Sequence, residues 1–243
     1  MMQGLFAAIG FLTRVPVPAS AFSDQSAQAH SLAWYPMVGL LIGAILCGLQ
    51  SALGDTPRLV SAALILLVWV GVTGGLHVDG LADSADAWVG GLGDRVRTME
   101  IMKDPRSGPA GVVTIVLLLL LKFAALASLP RSAWMAVLLA PMLARSGLTL
   151  AFITTPYVRS GGLGRNLVDA SRGACIGAVG LSSALIIFAG ARFGVWAWVA
   201  GALVFCWWRL ACMRRLGGMT GDTCGALAEL LEAAVLVAAA LAA

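Results

Sequence analysis

The chain has 243 residues, 60% of them hydrophobic and only 12% charged, with 16 Lys and Arg against 12 Asp and Glu for a net charge of +4. A soluble domain carries roughly 25% charged and 45–50% apolar residues, so a water-coated globule is excluded, and intrinsic disorder is excluded with it. Five cysteines scattered through apolar runs, without a CxxC, exclude a disulfide scaffold. The class that remains is a multi-pass membrane protein. In such a chain the placement of positive charge matters more than its sum, and no nucleic-acid partner is expected.

In chain order, Gly4–Leu12 is apolar but too short to cross a bilayer, and Arg14 and Pro16-Val17-Pro18 follow it. Residues 1–20 are therefore expected to form an interfacial segment; without a basic start they do not read as a cleaved signal. A spanning helix needs about 20 mostly apolar residues. Seven stretches qualify: 32–53, 58–78, 110–129, 133–153, 174–190, 193–213 and 223–243. Lipid offers no partner to backbone polar groups, so the spans must be helical. The expectation is one all-α integral membrane domain over 1–243, a bundle of about seven spans whose loops form the site.

Seven spans sort the polar segments into two sets. The first comprises the N-terminus, 79–109, 154–173 and 214–222. It holds Arg14, Arg95, Arg97, Lys103, Arg106, Arg159, Arg165, Arg172, Arg214 and Arg215, whereas the second holds only Arg58, Arg131 and Arg192. This bias predicts that the first set is cytoplasmic. The acids, Asp24 among them, follow the same side, and only Asp55 falls in the second set. One face thus carries nearly all the ionisable chemistry, as an enzyme with cytoplasmic substrates requires.

Three stretches carry that chemistry. In Gly74–Ala87, Asp79, Asp83 and Asp86 stand at i, i+4 and i+7, within an arc of roughly 60° on a helix. Stacked like charges at a membrane edge either share protons at raised pKa or surround a cation. An all-carboxylate set suits a hard ion, Mg²⁺ or Mn²⁺. A solvated polar face or a cation pathway is the alternative. His77, two residues before Asp79, could shuttle a proton or simply make a hydrogen bond. In Met99–Gly111, Glu100, Lys103, Asp104 and Arg106 stand beside glycines and prolines, which suits a phosphate-binding turn or an ordinary solvated loop. In Arg214–Glu232 a glycine-rich turn leads to Asp222 or Thr223 as a helix cap. Glu229 and Glu232 then lie roughly 10 and 15 Å into the last span. They need interior partners, and Arg145 is the natural counter-charge. Lys122 is expected to snorkel outward near the opposite face.

These stretches resemble the signatures of the cobalamin synthase family, the adenosylcobinamide-GDP ribazoletransferases. The likeness rests on Gly74-Gly75-Leu76-His77-x-Asp79-Gly80-Leu81-Ala82-Asp83-x-x-Asp86, on Ile101-Met102-Lys103-Asp104-x-Arg106-x-Gly108-x-x-Gly111, and on Leu216-Gly217-Gly218-x-Thr220-Gly221-Asp222-x-x-Gly225-Ala226-x-x-Glu229. Phe11-Leu12-Thr13-Arg14-Val15-Pro16 and Tyr35-Pro36-x-Val38-Gly39 are similar to the family's start, and Ala87 stands where members often have glycine. The resemblance implies transfer of phosphocobinamide from adenosylcobinamide-GDP to α-ribazole or its 5′-phosphate, with release of GMP. It implies Mg²⁺, with Mn²⁺ as the substitute, held by Asp79, Asp83 and Asp86 and completed by Asp222 or Asp104. Asp86, Asp83 and His77 are the catalytic candidates. Lys103, Arg106 and Arg14 would clamp phosphates, and Glu100, Gly221, Glu229 and Arg145 are the further substrate-binding candidates. An oligomer, or a complex with other corrinoid-assembly enzymes, is compatible with the resemblance. A CDP-alcohol phosphotransferase is the chemical rival, but Asp83 stands where its motif has arginine. A coupled transporter would need acids on both faces.

Overall fold

A computed structural model describes residues 2–22, 25–159, 163–189 and 191–243; Asp24 lies outside them. The described residues form helices α1 (Met2–Leu12), α2 (Gln25–Ser31), α3 (Tyr35–Ala52), α4 (Arg58–Thr73), α5 (Leu76–Gly90), α6 (Arg95–Ile101), α7 (Pro109–Ser128), α8 (Trp134–Thr154), α9 (Arg172–Ala189), α10 (Ala191–Leu216) and α11 (Gly221–Ala242). Six of these regions are long and apolar enough to cross a membrane, or seven if α4 and α5 count as one broken span. The all-α bundle expected from composition is therefore the fold.

The second span departs from its expected limits of 58–78. The helix stops at Thr73, and α5 leaves at 87° to α4. Gly74 and Gly75 both adopt left-handed φ, +64° and +70°. Only glycine enters that region without a Cβ penalty, so the pair ends one helix and starts another in a new direction. α4 alone is roughly 24 Å long, and α5 lies across the end of the bundle, outside the spans.

α11 is the hub. It packs against α5, α7, α8 and α10, and its buried positions run from Thr223 to Ala239 on all sides, as befits a central helix. α3 packs along α8, and α9 and α10 close the far side. The two loop sets gather at opposite ends. At the first end Arg14 N donates to Val72 O (2.7 Å), Arg215 Nη2 to Trp88 O (2.6 Å) and Val158 N to Met219 O (2.9 Å). At the second end Arg131 Nη2 donates to Thr56 O (2.9 Å) and its Nη1 reaches Asp55 (3.4 Å).

Lys122 corrects the expectation of snorkelling. It is 1% exposed, and its Nζ donates to Glu229 Oε2 (2.6 Å) and Glu232 Oε2 (2.5 Å). The reason is angular position rather than depth. Leu118, Lys122, Ala125 and Leu126 form the buried stripe of α7, whereas Val113, Leu117, Leu120 and Leu121 face outward. The expected partnership of Arg145 is present, with Glu232. Arg145 Nη2 also meets His77 Nδ1 (3.1 Å), and the Lys122 ammonium sits 5.0 Å over the Trp69 ring. Two cations and two anions thus cancel in the low-dielectric interior and tie α4, α5, α7, α8 and α11 together.

Removing one partner of this network leaves an uncompensated buried charge. Lys122→Met is expected to destabilise the protein by about 3–5 kcal/mol, read as a lower unfolding midpoint in detergent. Adding Glu229→Gln should recover part of the loss, and two independent, additive losses would show that the pair is not coupled.

Candidate active site

The turn of α5 across the bundle end decides what its acids meet. Asp79, Asp83 and Asp86 occupy one face of this helix. Gly80 beside them lies against the start of α11, where a Cβ would come within 2.7 Å of Asp222 O. A Cβ at Gly225 on α11 would come within 3.2 Å of the His77 backbone and 3.4 Å of Gly80. The crossing at this separation requires the missing side chain at Gly80 and is eased by that at Gly225. The crossing brings Asp222, in the first turn of α11, beside the α5 acids. Thr220 caps that helix through a reciprocal exchange with Thr223, which fixes the start of α11 and hence the position of Asp222.

Three of the acids have distinct surroundings. Asp83 is half-buried, and its pKa is pushed up to about 6 by burial and then by Asp79, Asp222 and Asp86; Arg159 opposes the shift. Asp86 is taken up by the start of α7, its two oxygens accepting from Gly108 N (2.6 Å) and Gly111 N (2.9 Å). This arrangement satisfies two helix N-terminal donors and places a negative charge at the positive end of the helix dipole. Asp222 receives Arg159 Nη1 at 2.9 Å. Pro156 and Val158 lie against Met219 through backbone hydrogen bonds, and the chain between them sets Arg159 over the α11 start.

Asp79, Asp222 and Arg159 line a cavity of about 200 Å³ that also touches His77, Gly80, Gly221 and Gly225. Phe11, Tyr35, Leu148, Phe152 and Tyr157 form its apolar wall. Among the described residues, no three His, Cys, Asp or Glu side chains converge closely enough to hold a metal by themselves. Asp79 and Asp222, which both line the cavity, nonetheless suit a hydrated hard cation. They offer only oxygen donors, and such an ion takes its remaining ligands from water and substrate phosphate.

The structure brings together Asp79, Asp83, Asp86, Asp222, Gly221 and His77 of the expected set. His77 is 3% exposed. A guanidinium can only donate, so His77 Nδ1 accepts from Arg145 and the ring proton sits on Nε2. Asp104 is not with the α5 acids: it forks onto Arg106 (2.8 and 3.0 Å), which holds its carboxyl well below the usual range, at about 2. Glu100, in the last turn of α6, and Lys103 and Arg106, in the loop that follows it, are exposed. Arg14 is exposed, with its side chain passing over Gly74. Glu229 and Arg145 are closed into the buried ion network, away from the cavity lining. Sequence reasoning missed Arg159 and Tyr157. The one available signal was an arginine close before the glycine-containing 160–164 stretch, which is weak without the fold.

Comparison with known proteins places these features in context. The family described as cobalamin-5-phosphate synthase matches residues 4–240. A protein of Ectopseudomonas mendocina named adenosylcobinamide-GDP ribazoletransferase is 53% identical over 237 residues, 96% of this chain and 97% of the relative. Proteins of the same name from Pseudomonas paraeruginosa (52%) and Pseudomonas fluorescens (50%) each align over 242 residues, 99% of this chain, and cover 98% and 100% of the respective relative. No solved structure matches.

The carboxylate crowding has a measurable sign. Asp83 ionises near its ordinary 3.8 when unfolded and near 6 when folded. The folded state holds the proton longer, so this group stabilises the fold below about pH 4 and loses that effect as pH rises to 6. With divalent ions chelated, the unfolding midpoint should fall across this window, and Asp83→Asn should flatten the fall. Equal slopes in the two proteins would show that Asp83 is not crowded.

Proposed function

The chain belongs to the cobalamin-5-phosphate synthase family, and we propose that it transfers the phosphocobinamide part of adenosylcobinamide-GDP to the 3′-hydroxyl of α-ribazole or its 5′-phosphate, releasing GMP. The observation that carries this reading is that Asp79 of α5 and Asp222 of α11 line one cavity, with Asp83 near enough to feel the charge of both. Joining a hydroxyl to one phosphorus of a diphosphate needs a way to gather negative charge in one place and neutralise it.

Each residue has a task in that step. The ribazole 3′-oxygen bonds to the cobinamide-side phosphorus while the bond from that phosphorus to the bridging oxygen breaks, leaving its electron pair on GMP. Asp83, with a pKa of about 6, takes the hydroxyl proton on a carboxylate oxygen, since a base works best near the operating pH. Asp79 and Asp222 would hold Mg²⁺ or Mn²⁺, which supplies charge neutralisation for the diphosphate. Arg159 turns from Asp222 towards phosphate oxygens, where its fork matches their geometry. Lys103, Arg106 and Arg14 are exposed beside the site and attract the anionic substrate. Asp86 serves as anchor rather than base in this account, because its oxygens already accept from the start of α7.

The site end is proposed to face the cytoplasm of a bacterial inner membrane. The loop set gathered there holds the ten basic residues named above against three at the other end, and nucleotide substrates are cytoplasmic.

Purified protein in liposomes should release GMP only when adenosylcobinamide-GDP, α-ribazole and a divalent ion are all present, and EDTA should stop the release. Asp83→Asn should lower turnover by about 100-fold or more without loss of membrane insertion. Full turnover in that variant would contradict the assignment of Asp83.

A further inference from the structure

The functional reading leaves the apolar half of the cavity without a task. It also leaves unexplained Phe11 and the Tyr35–Gly39 element, which carry none of the acids or phosphate-binding groups. These observations meet at one place. Phe11, from the end of α1, stacks on Tyr35, from the start of α3, with ring centroids 6.1 Å apart. Phe152, from the last turn of α8, stacks on Tyr157 at 5.8 Å. Both pairs line the cavity together with Leu148. The charged groups Asp79, Asp222 and Arg159, on the α5–α11 crossing and the neighbouring loop, line it as well.

We propose that the two aromatic pairs form the subsite for the flat fused-ring base of the acceptor nucleoside, so that its ribose hydroxyl is directed to the acids of the α5–α11 crossing. This rests on the functional reading above and specifies which substrate occupies the cavity. Base faces gain about 1–3 kcal/mol from aromatic stacking, largely independent of edge chemistry. Edge chemistry then chooses between the two bases in the reaction. Guanine presents ring and amino N–H donors and a carbonyl, and burying them without partners is costly. The aromatic wall offers little beyond the phenol groups of Tyr35 and Tyr157. A benzimidazole has an all-carbon outer edge and a single unsubstituted ring nitrogen, which only accepts. The leaving guanosine therefore lies outside this pocket, on the exposed side of the acids.

The test uses the whole protein in liposomes, with GMP release as readout and each substrate titrated separately. In Phe152→Ala the KM for α-ribazole should rise about tenfold, while the KM for adenosylcobinamide-GDP stays within about twofold. A second comparison is insensitive to the amount of folded enzyme: the ratio of kcat/KM for α-ribazole to that for the same riboside bearing a purine, read within each variant. This ratio should favour α-ribazole in the unaltered protein and move towards unity in Phe152→Ala and in Phe11→Ala. Unchanged ratios in both variants, or an equal rise of KM for both substrates, would overturn the subsite while leaving the functional reading in place. If the unaltered protein releases no GMP from the two substrates, the functional reading fails and the subsite falls with it.

Discussion

The structure turns on the crossing of two helices, one of which bears three aspartates on a single face. An acidic helix of this kind cannot lie in lipid and gains nothing by standing upright in the bundle. The left-handed pair Gly74-Gly75 resolves the conflict by turning α5 through 87° to lie across the bundle end. Gly80 and Gly225 then let it settle onto α11 at backbone separation. Asp222 joins the α5 acids as a direct result, and the Asp83 pKa, raised first by burial and then by Asp79, Asp222 and Asp86, carries the electrostatic signature of the contact.

Beneath the crossing lies a second electrostatic solution. Lys122, Arg145, Glu229 and Glu232 are 0–3% exposed and mutually neutral. Such a network adds little net stability relative to an apolar core, but it makes any other arrangement of its helices expensive. Its link to His77 passes that constraint to α5, two residues before Asp79. The network holds a helix orientation, and the acids above it exploit that orientation. Closed among its own partners, it offers no continuous polar route across the bundle of the kind a transporter needs.

Much of this was legible in the sequence. The spans follow from apolar length, and the i, i+4, i+7 spacing of Asp79, Asp83 and Asp86 survives intact on α5 because it is a property of one helix. What depends on two elements was hidden. Lys122 looked peripheral because its depth is readable from position, but its face is set by how α7 rotates against α11. The hold of Gly108 and Gly111 of the next helix on the two oxygens of Asp86 is a contact with no local pattern. Asp104 sits in a motif with Arg106 and pairs within that loop. Arg159 and the aromatic wall emerge only when the chain after α8 is laid against the start of α11.

The account requires that the acids of the crossing act together as a divalent-metal site for phosphoryl transfer. The most direct measurement is a Mn²⁺ titration of the purified protein in nanodiscs by electron paramagnetic resonance, with a non-hydrolysable diphosphate analogue present. The account predicts a bound signal that is lost in Asp79→Asn and in Asp222→Asn and retained in Asp104→Asn. Unchanged Mn²⁺ binding in the first two variants, or its loss in Asp104→Asn alone, would contradict it.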